Sequence, residues 1–179
     1  VAPYTGCFVK GAPISHPAML AQPTTPFRWA SVSKPVTAMA IMALVDRGLI
    51  TLDDKVFECA SPLPATAPLA HLVYDRATCT ASFAIGDARM LNITIKHLLQ
   101  HTPGWDRMTN PFDEVNGDQL FQWQSVEAGL GLDHGSAMCP HILTRELGRS
   151  GLQYTPGTTF AYSNLGYCAL GLIVAQVSK

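Results

Sequence analysis

The sequence predicts a mostly helical chain with little that reads as a strand, and three observations carry that prediction. Apolar residues recur at helical spacing in two long segments, from Ser31 to Gly48 and from Asn164 to Val177. Helix start and stop signals at Gly48, Thr94 and Pro103-Gly104 punctuate the chain between them. The 179 residues are 47% hydrophobic and 14% charged, a balance in which burial can outweigh chain entropy, so a folded rather than a disordered chain is expected.

Taken in order, residues 1 to 26 hold five prolines and little periodicity, which predicts an irregular arm with at most a short strand. From Ser31 the pattern changes. Val36, Met39, Ala40, Met42, Ala43 and Val45 make a broad apolar face, and Gly48 is a natural C-terminal stop. Pro35 is tolerated in the first turn, where no intrahelical donor is lost. Leu49 to Val56 reads as the turn and short segment leaving that helix, and residues 59 to 90 are loop-rich. Thr94 is the expected N-cap of a second helix carrying Ile95, Leu98 and Leu99, halted by Pro103-Gly104. Residues 105 to 135 are aromatic, polar and Gly-rich, with no assignable element. His141 to Leu147 predicts a short helix, and Pro156-Gly157 a turn.

The last segment, Asn164 to Val177, is apolar almost all round through Leu165, Cys168, Ala169, Leu172, Ile173 and Val177. A helix of that kind is expected to be covered, and the chain does not obviously contain the cover. No internal repeat, linker or low-complexity tract breaks the sequence. The domain organisation is therefore an arm over 1–26 and a helical part over 27–179.

Charge and hydropathy exclude several partner classes. Twelve basic residues stand against thirteen acidic ones, a net charge of −1, which leaves no electrostatic footprint for nucleic acid or anionic lipid. The longest uninterrupted apolar run, Ala38 to Val45, is far shorter than the roughly 20 residues a membrane span needs. A soluble globular chain is expected. Val1 stands where an initiator Met would, with no signal-like region behind it, so the reading is a chain processed or trimmed at an internal position.

Cys7, Cys59, Cys79, Cys139 and Cys168 show neither CxxC nor zinc-like spacing. Cys59 and Cys79 bracket a Pro/Ala-rich loop. A disulfide closing it and reduced, buried cysteines fit the sequence equally well. Asn92-Ile93-Thr94 has the glycosylation acceptor pattern. Together these lean toward a secreted or extracytoplasmic protein.

Two motifs carry candidate chemistry. Ser31-Val32-Ser33-Lys34 opens the first long helix, and a lysine three residues after a serine lies on the same helical face one turn on. A serine hydroxyl needs such a base to become a nucleophile, and a helix N-terminus favours negative charge on it. Tyr162-Ser163-Asn164 begins the last helix: a tyrosine relays protons beside cations, and an Asn amide holds a carbonyl. Each motif alone also reads as an ordinary helix start, with a solvated Lys in one case and a packed Tyr with a Ser/Asn cap in the other.

Their flanks shift the balance between these readings, because each motif stands inside a longer matching context. Phe27-Arg28-Trp29-Ala30-Ser31-Val32-Ser33-Lys34-Pro35-Val36-Thr37-Ala38 resembles the nucleophile segment of the serine beta-lactamase family. This group includes class C beta-lactamases, D-alanyl-D-alanine carboxypeptidases and beta-lactamase-like esterases. Asp46 to Val56 is similar to its continuation, and Ile93 to Gly104 to its "ITI-HLL-HTSG" segment. Pro156 to Tyr167 resembles the second catalytic motif with its flanks.

The resemblance implies an α+β, beta-lactamase/transpeptidase-like fold of which this chain is mostly the helical region. By it Ser31 would be the acylated nucleophile, Lys34 its general base, Tyr162 the proton shuttle and Asn164 the residue orienting the substrate carbonyl. It implies an ester or amide substrate (a beta-lactam, a D-amino-acid peptide or a carboxylic ester) and no cofactor or metal. Trp105 and Asp106, after the Pro103-Gly104 turn, are expected at the pocket, with a packed Trp beside a turn Asp as the other reading.

The family's third motif, Lys-Thr-Gly or His-x-Gly on a sheet strand, is absent from the sequence. The expectation is that the C-terminal sheet portion, or a second chain, completes the site, and that these residues alone are inactive. The rival class is a non-catalytic beta-lactamase-like scaffold or assembly protein, against which the joint retention of Ser31, Lys34, Tyr162 and Asn164 argues. His97 and His101 stand at i and i+4 but lack an intervening Glu or a third ligand, so core or surface histidines are expected rather than a metal pair. No Gly-x-Ser-x-Gly elbow occurs, and Gly129 to Gly135 lacks the Lys-Ser/Thr of a phosphate loop. Tyr154 and Phe160 are expected in the core.

Overall fold

The computed structural model describes residues 24, 29–59, 67–73, 75, 78, 80–108, 131, 138–149 and 151–179. The arm expected over 1–26 lies outside them apart from Thr24, as do Cys7, Cys79 and nearly all of the unassigned stretch after Met108. The chain divides into two compact units, residues 1–33 and 34–179.

In the first unit, a 3-10 turn spans Ala30–Val32, closed by the Val32 N–H donating to the Trp29 carbonyl at 3.0 Å. Helix α1 runs over Ser33–Asp46, all but its first residue in the second unit. Gly48, at φ +68°, ends it in the left-handed conformation that glycine adopts without a steric penalty. The face that α1 buries is not the expected one. Ile41 and Leu44 enter the core, whereas Val36 and Met39 remain 57% and 72% exposed. The helix is apolar nearly all round, so its periodicity does not select a face, and packing decides.

Residues 52–56 then pair briefly with 93–96. Lys55 and Thr94 form an isolated antiparallel bridge, with the Val56 N–H on the Ile93 carbonyl at 2.9 Å and the Ile95 N–H on the Asp54 carbonyl at 3.1 Å. Among the described residues this bridge replaces any strand. A 3-10 turn at Ala88–Asn92 is pinned by Asp87, whose carboxylate accepts from the Arg89 side chain and N–H and from the Leu152 N–H.

Helix α2, Ile95–Leu99, starts where the sequence puts it. The Thr94 side chain accepts from the His97 N–H, and the His97 ring accepts from the Thr94 N–H, a reciprocal capping box. Helix α3 covers Met138–Gly148, starting three residues before the expected His141 because Pro140 fits in its first turn. Helix α4 spans Asn164–Val177, capped by the Ser163 hydroxyl accepting from the Gly166 N–H at 3.0 Å.

The cover that α4 requires is supplied within the chain. Helices α2 and α3 both pack on it, burying Leu165, Ala169, Leu170 and Ile173. A disulfide between Cys139 and Cys168 fastens α3 to α4, with Cα atoms 5.9 Å apart. Cys59 is also disulfide-bonded. Of the two readings of Trp105, pocket-lining and packed, the structure has the packed one: it is a core residue, 2% exposed and edge-on to Phe57. Its indole offers a large apolar area that the core takes up. Phe160, expected in the core, is 68% exposed and sits edge-on to His101. No helix among the described residues is long and apolar enough to cross a membrane.

Candidate active site

Ser31 belongs to the first unit. It is exposed on the 3-10 turn, and Ala30 before it takes φ +46°, a left-handed value rare for a residue with a side chain. Such strain costs about 1–2 kcal/mol and concentrates at functional sites.

The other three motif residues meet within the second unit. Lys34, in the first turn of α1, donates from Nζ to Asn164 Oδ1 at 2.6 Å. The bond reaches Asn164 because Ser163 takes the cap, making the asparagine the first residue of α4. Tyr162, just outside the helix, lies with its ring beneath the same amino group, 4.8 Å from Nζ to the ring centroid. Tyr167, one turn into α4, stands 5.6 Å from the same nitrogen. Both lie within cation–π range.

Two further residues complete the cluster that the motifs alone do not name. The Arg107 guanidinium carbon lies 4.9 Å from the Tyr162 ring centroid. His101 stacks on Tyr162 with centroids 4.6 Å apart and planes 26° off parallel, and leans on Tyr167 at 4.9 Å. Burial first, and then the Lys34 charge, hold His101 below the ordinary histidine range. Burial also lifts the Tyr167 phenol, whose hydroxyl donates to the Leu99 carbonyl. His97 has its own partner in Thr94 and faces the turn at Gly157. The His101 ring is engaged by Ser163, so the two histidines serve different segments.

Arg107 and His101 escape the motif reading for one reason. Their relation to Tyr162 depends on bringing residues 101–107 against 160–167, which the backbone bonds from the Ala161 N–H to the His101 carbonyl and from the Gln153 N–H to the Gly104 carbonyl accomplish. The resemblance of Ile93 to Gly104 to a family segment is the signal that pointed there. Asp106, next to Arg107, is buried and accepts from the Tyr154 hydroxyl at 3.2 Å, which raises that phenol.

Chemically, the cluster is a lysine amine hydrogen-bonded to a carboxamide, over a tyrosine ring flanked by a second cation. Cations beside a phenol stabilise negative charge on its oxygen.

Among known proteins, the family model described as Beta-lactamase matches residues 9–179. The chain is 30% identical over 150 residues to the fimbrial assembly protein FimD, serogroup D, of Dichelobacter nodosus, covering 84% of this chain and 29% of that protein. It is 27% identical over 152 residues to a penicillin-binding protein of Bacillus subtilis (strain 168), covering 85% and 25%. Among solved structures it is similar to EstCE1, a hydrolase with promiscuous acyltransferase activity, at 27% identity and a TM-score of 0.48, covering 83% and 32%. The chain spans less than a third of the length of the curated relatives it matches.

Proposed function

This chain belongs to the beta-lactamase family, and from that premise we propose that the protein is a serine hydrolase that opens an ester or amide through an acyl-enzyme on Ser31. Ser31 Oγ attacks the substrate carbonyl carbon and passes its proton to Lys34 Nζ. The oxyanion takes up the Ser31 backbone N–H. Tyr162 hands a proton to the departing alcohol or amine as the tetrahedral intermediate collapses. Water then attacks the ester on Ser31, losing its proton to the same Lys34–Tyr162 pair, which returns it to Ser31 Oγ as the C–Oγ bond breaks and the carboxylic acid leaves. Asn164 orients the substrate through its amide.

The observation that supports this reading best is the 2.6 Å bond between Lys34 and Asn164 over the Tyr162 ring. It gathers the candidate base, shuttle and carbonyl-orienting residue into one cluster. The substrate class we favour is a carboxylic ester or a peptide-like amide. The likeness to a penicillin-binding protein keeps a beta-lactam within the same acyl-enzyme chemistry. A small-molecule or peptide substrate suffices, with no cofactor, and a sheet from a longer protein or from a second chain would complete the site. The Cys139–Cys168 disulfide supports an extracytoplasmic location.

The test is intact and peptide-level mass spectrometry of the full-length protein after a fluorophosphonate and, separately, a penicillin. One adduct on the Ser31 peptide, lost in Ser31→Ala, is the expected result. An adduct that survives Ser31→Ala overturns the assignment. A second reading, an assembly scaffold, is favoured by the 30% identity to a fimbrial assembly protein; it predicts no adduct on Ser31 with either probe.

A further inference from the structure

We infer that His101 is the positioning residue for Tyr162, holding the backbone on both sides of the tyrosine and stacking its ring. Its backbone carbonyl accepts the Ala161 N–H at 2.8 Å. Its ring nitrogen Nδ1 accepts the Ser163 N–H at 3.1 Å. The ring lies 4.6 Å from the Tyr162 ring, nearly parallel. Residues 161, 162 and 163 are thus each fixed by a different part of one histidine.

The backbone at His101 supports a dedicated role. Its φ is +57°, at the second position past the end of α2, where helices ordinarily place glycine or asparagine. A histidine there is disfavoured against glycine, because its Cβ crowds the backbone in the left-handed conformation. In return, the left-handed turn swings the ring away from α2 and onto residues 161–163. A glycine would relax the turn and leave the Ser163 N–H without its acceptor.

The clamp works in one protonation state. A neutral imidazole that accepts at Nδ1 carries its proton on Nε2. A second proton converts Nδ1 to a donor facing the Ser163 donor, and that bond is lost. The groups about the ring are Lys34 from α1, Tyr162 and Tyr167 from the last segment and the exposed Phe160 at its edge, with Arg107 against the Tyr162 ring. The Lys34 charge opposes a positive imidazole. Acidification therefore releases Tyr162. The kinetic consequence rests on the serine-hydrolase reading, but the clamp itself does not.

The experiment has two readouts on the full-length protein. The first needs no substrate: nitrogen-15 spectra of the histidines across a pH titration, with His101 assigned by its loss in His101→Asn. The expected result is an Nε2–H tautomer with a midpoint below the ordinary 6.5, and Tyr162 ring signals that move with the same midpoint. An Nδ1–H tautomer, or Tyr162 signals indifferent to His101, overturns the inference whatever the turnover.

The second readout is kinetic, with p-nitrophenyl acetate. His101→Asn places a carboxamide oxygen where Nδ1 stood, accepts the left-handed backbone and cannot titrate. His101→Phe keeps a stacked ring without the acceptor. The expected pattern is a kcat loss of about tenfold or more in His101→Phe at little-changed KM, the equivalent of one lost hydrogen bond. His101→Asn should recover most of it, with the acid limb of the wild-type profile removed. Two variants with wild-type kcat and an unaltered acid limb overturn the inference. If the wild type neither turns over nor acylates, the hydrolase reading falls, and the spectra alone decide the clamp.

Discussion

Lys34 Nζ and Asn164 Oδ1 lie 2.6 Å apart, joining the first turn of α1 to the first residue of α4 across 130 positions of sequence. The bond holds the amino group over the Tyr162 ring, so a change at either end alters both the charge and the geometry of the cluster. Lys34→Met removes the amine that the hydrolase proposal makes the proton acceptor while keeping the stem. Its acylation rate by a fluorophosphonate should fall by roughly a hundredfold to ten-thousandfold, the usual worth of a positioned general base. Asn164→Ala should retain acylation at a rate between that of Lys34→Met and wild type. Stopped-flow or timed mass spectrometry reads both, and a Lys34→Met protein that acylates at the wild-type rate rejects the role of the lysine.

Asp87 is the polar tie between the turn at 88–92 and Leu152. Its pKa is lowered to about 2, chiefly by hydrogen bonds from the Arg89 side chain, and further by the Arg89 and Leu152 N–H groups. A depressed carboxylate contributes stability that is present above its unfolded value of 3.8 and lost as the pH falls through about 2. Asp87→Ala leaves the Leu152 N–H and the Arg89 fork without their acceptor and should cost about 1–3 kcal/mol at neutral pH. Urea titrations at pH 7 and pH 2 check this. The gap between variant and wild type should shrink at the lower pH.

Glu146 works in the opposite direction. It is 7% exposed on α3, and burial raises its pKa against the opposing charges of Arg145 and Arg149. A carboxyl whose folded pKa is raised contributes stability present below its unfolded value and lost as the pH rises through the folded one. Glu146→Gln should therefore raise Tm at pH 7 and give no gain at pH 4. Calorimetry at the two pH values reads the difference, and equal gains at both would remove the burial argument.

The Cys139–Cys168 bridge closes a loop of 29 residues' separation and clamps α3 against α4. Chain entropy alone gives such a loop about 3–4 kcal/mol of stabilisation. The Cys139→Ser, Cys168→Ser pair should lower stability by that order and loosen the base of the helix that carries Asn164. Hydrogen exchange should show the loss first in α3 and the first turns of α4, with α2 protected longer.

The sequence made the helix starts and stops legible because those signals are local. Thr94 caps α2 and Gly48 ends α1 through bonds and dihedrals within a few residues of each. Asn164–Val177 matched its pattern end to end for the same reason. Lys34, Tyr162 and Asn164 stand in the two motif strings, and the structure brings these three side chains together.

Which face of α1 is buried, that Trp105 is core and Phe160 exposed, and that α2 and α3 cover α4 were decided by tertiary packing. An all-round apolar helix carries no preferred side, and an aromatic ring fits a core or a surface according to what lies opposite. The same holds for the site. The sequence supplied a lysine, a tyrosine and an asparagine. Folding brought residues 101–107 against 160–167 and made a capping-position histidine the clamp on that tyrosine, because contacts between segments some 60 residues apart exist only once the chain has closed on itself.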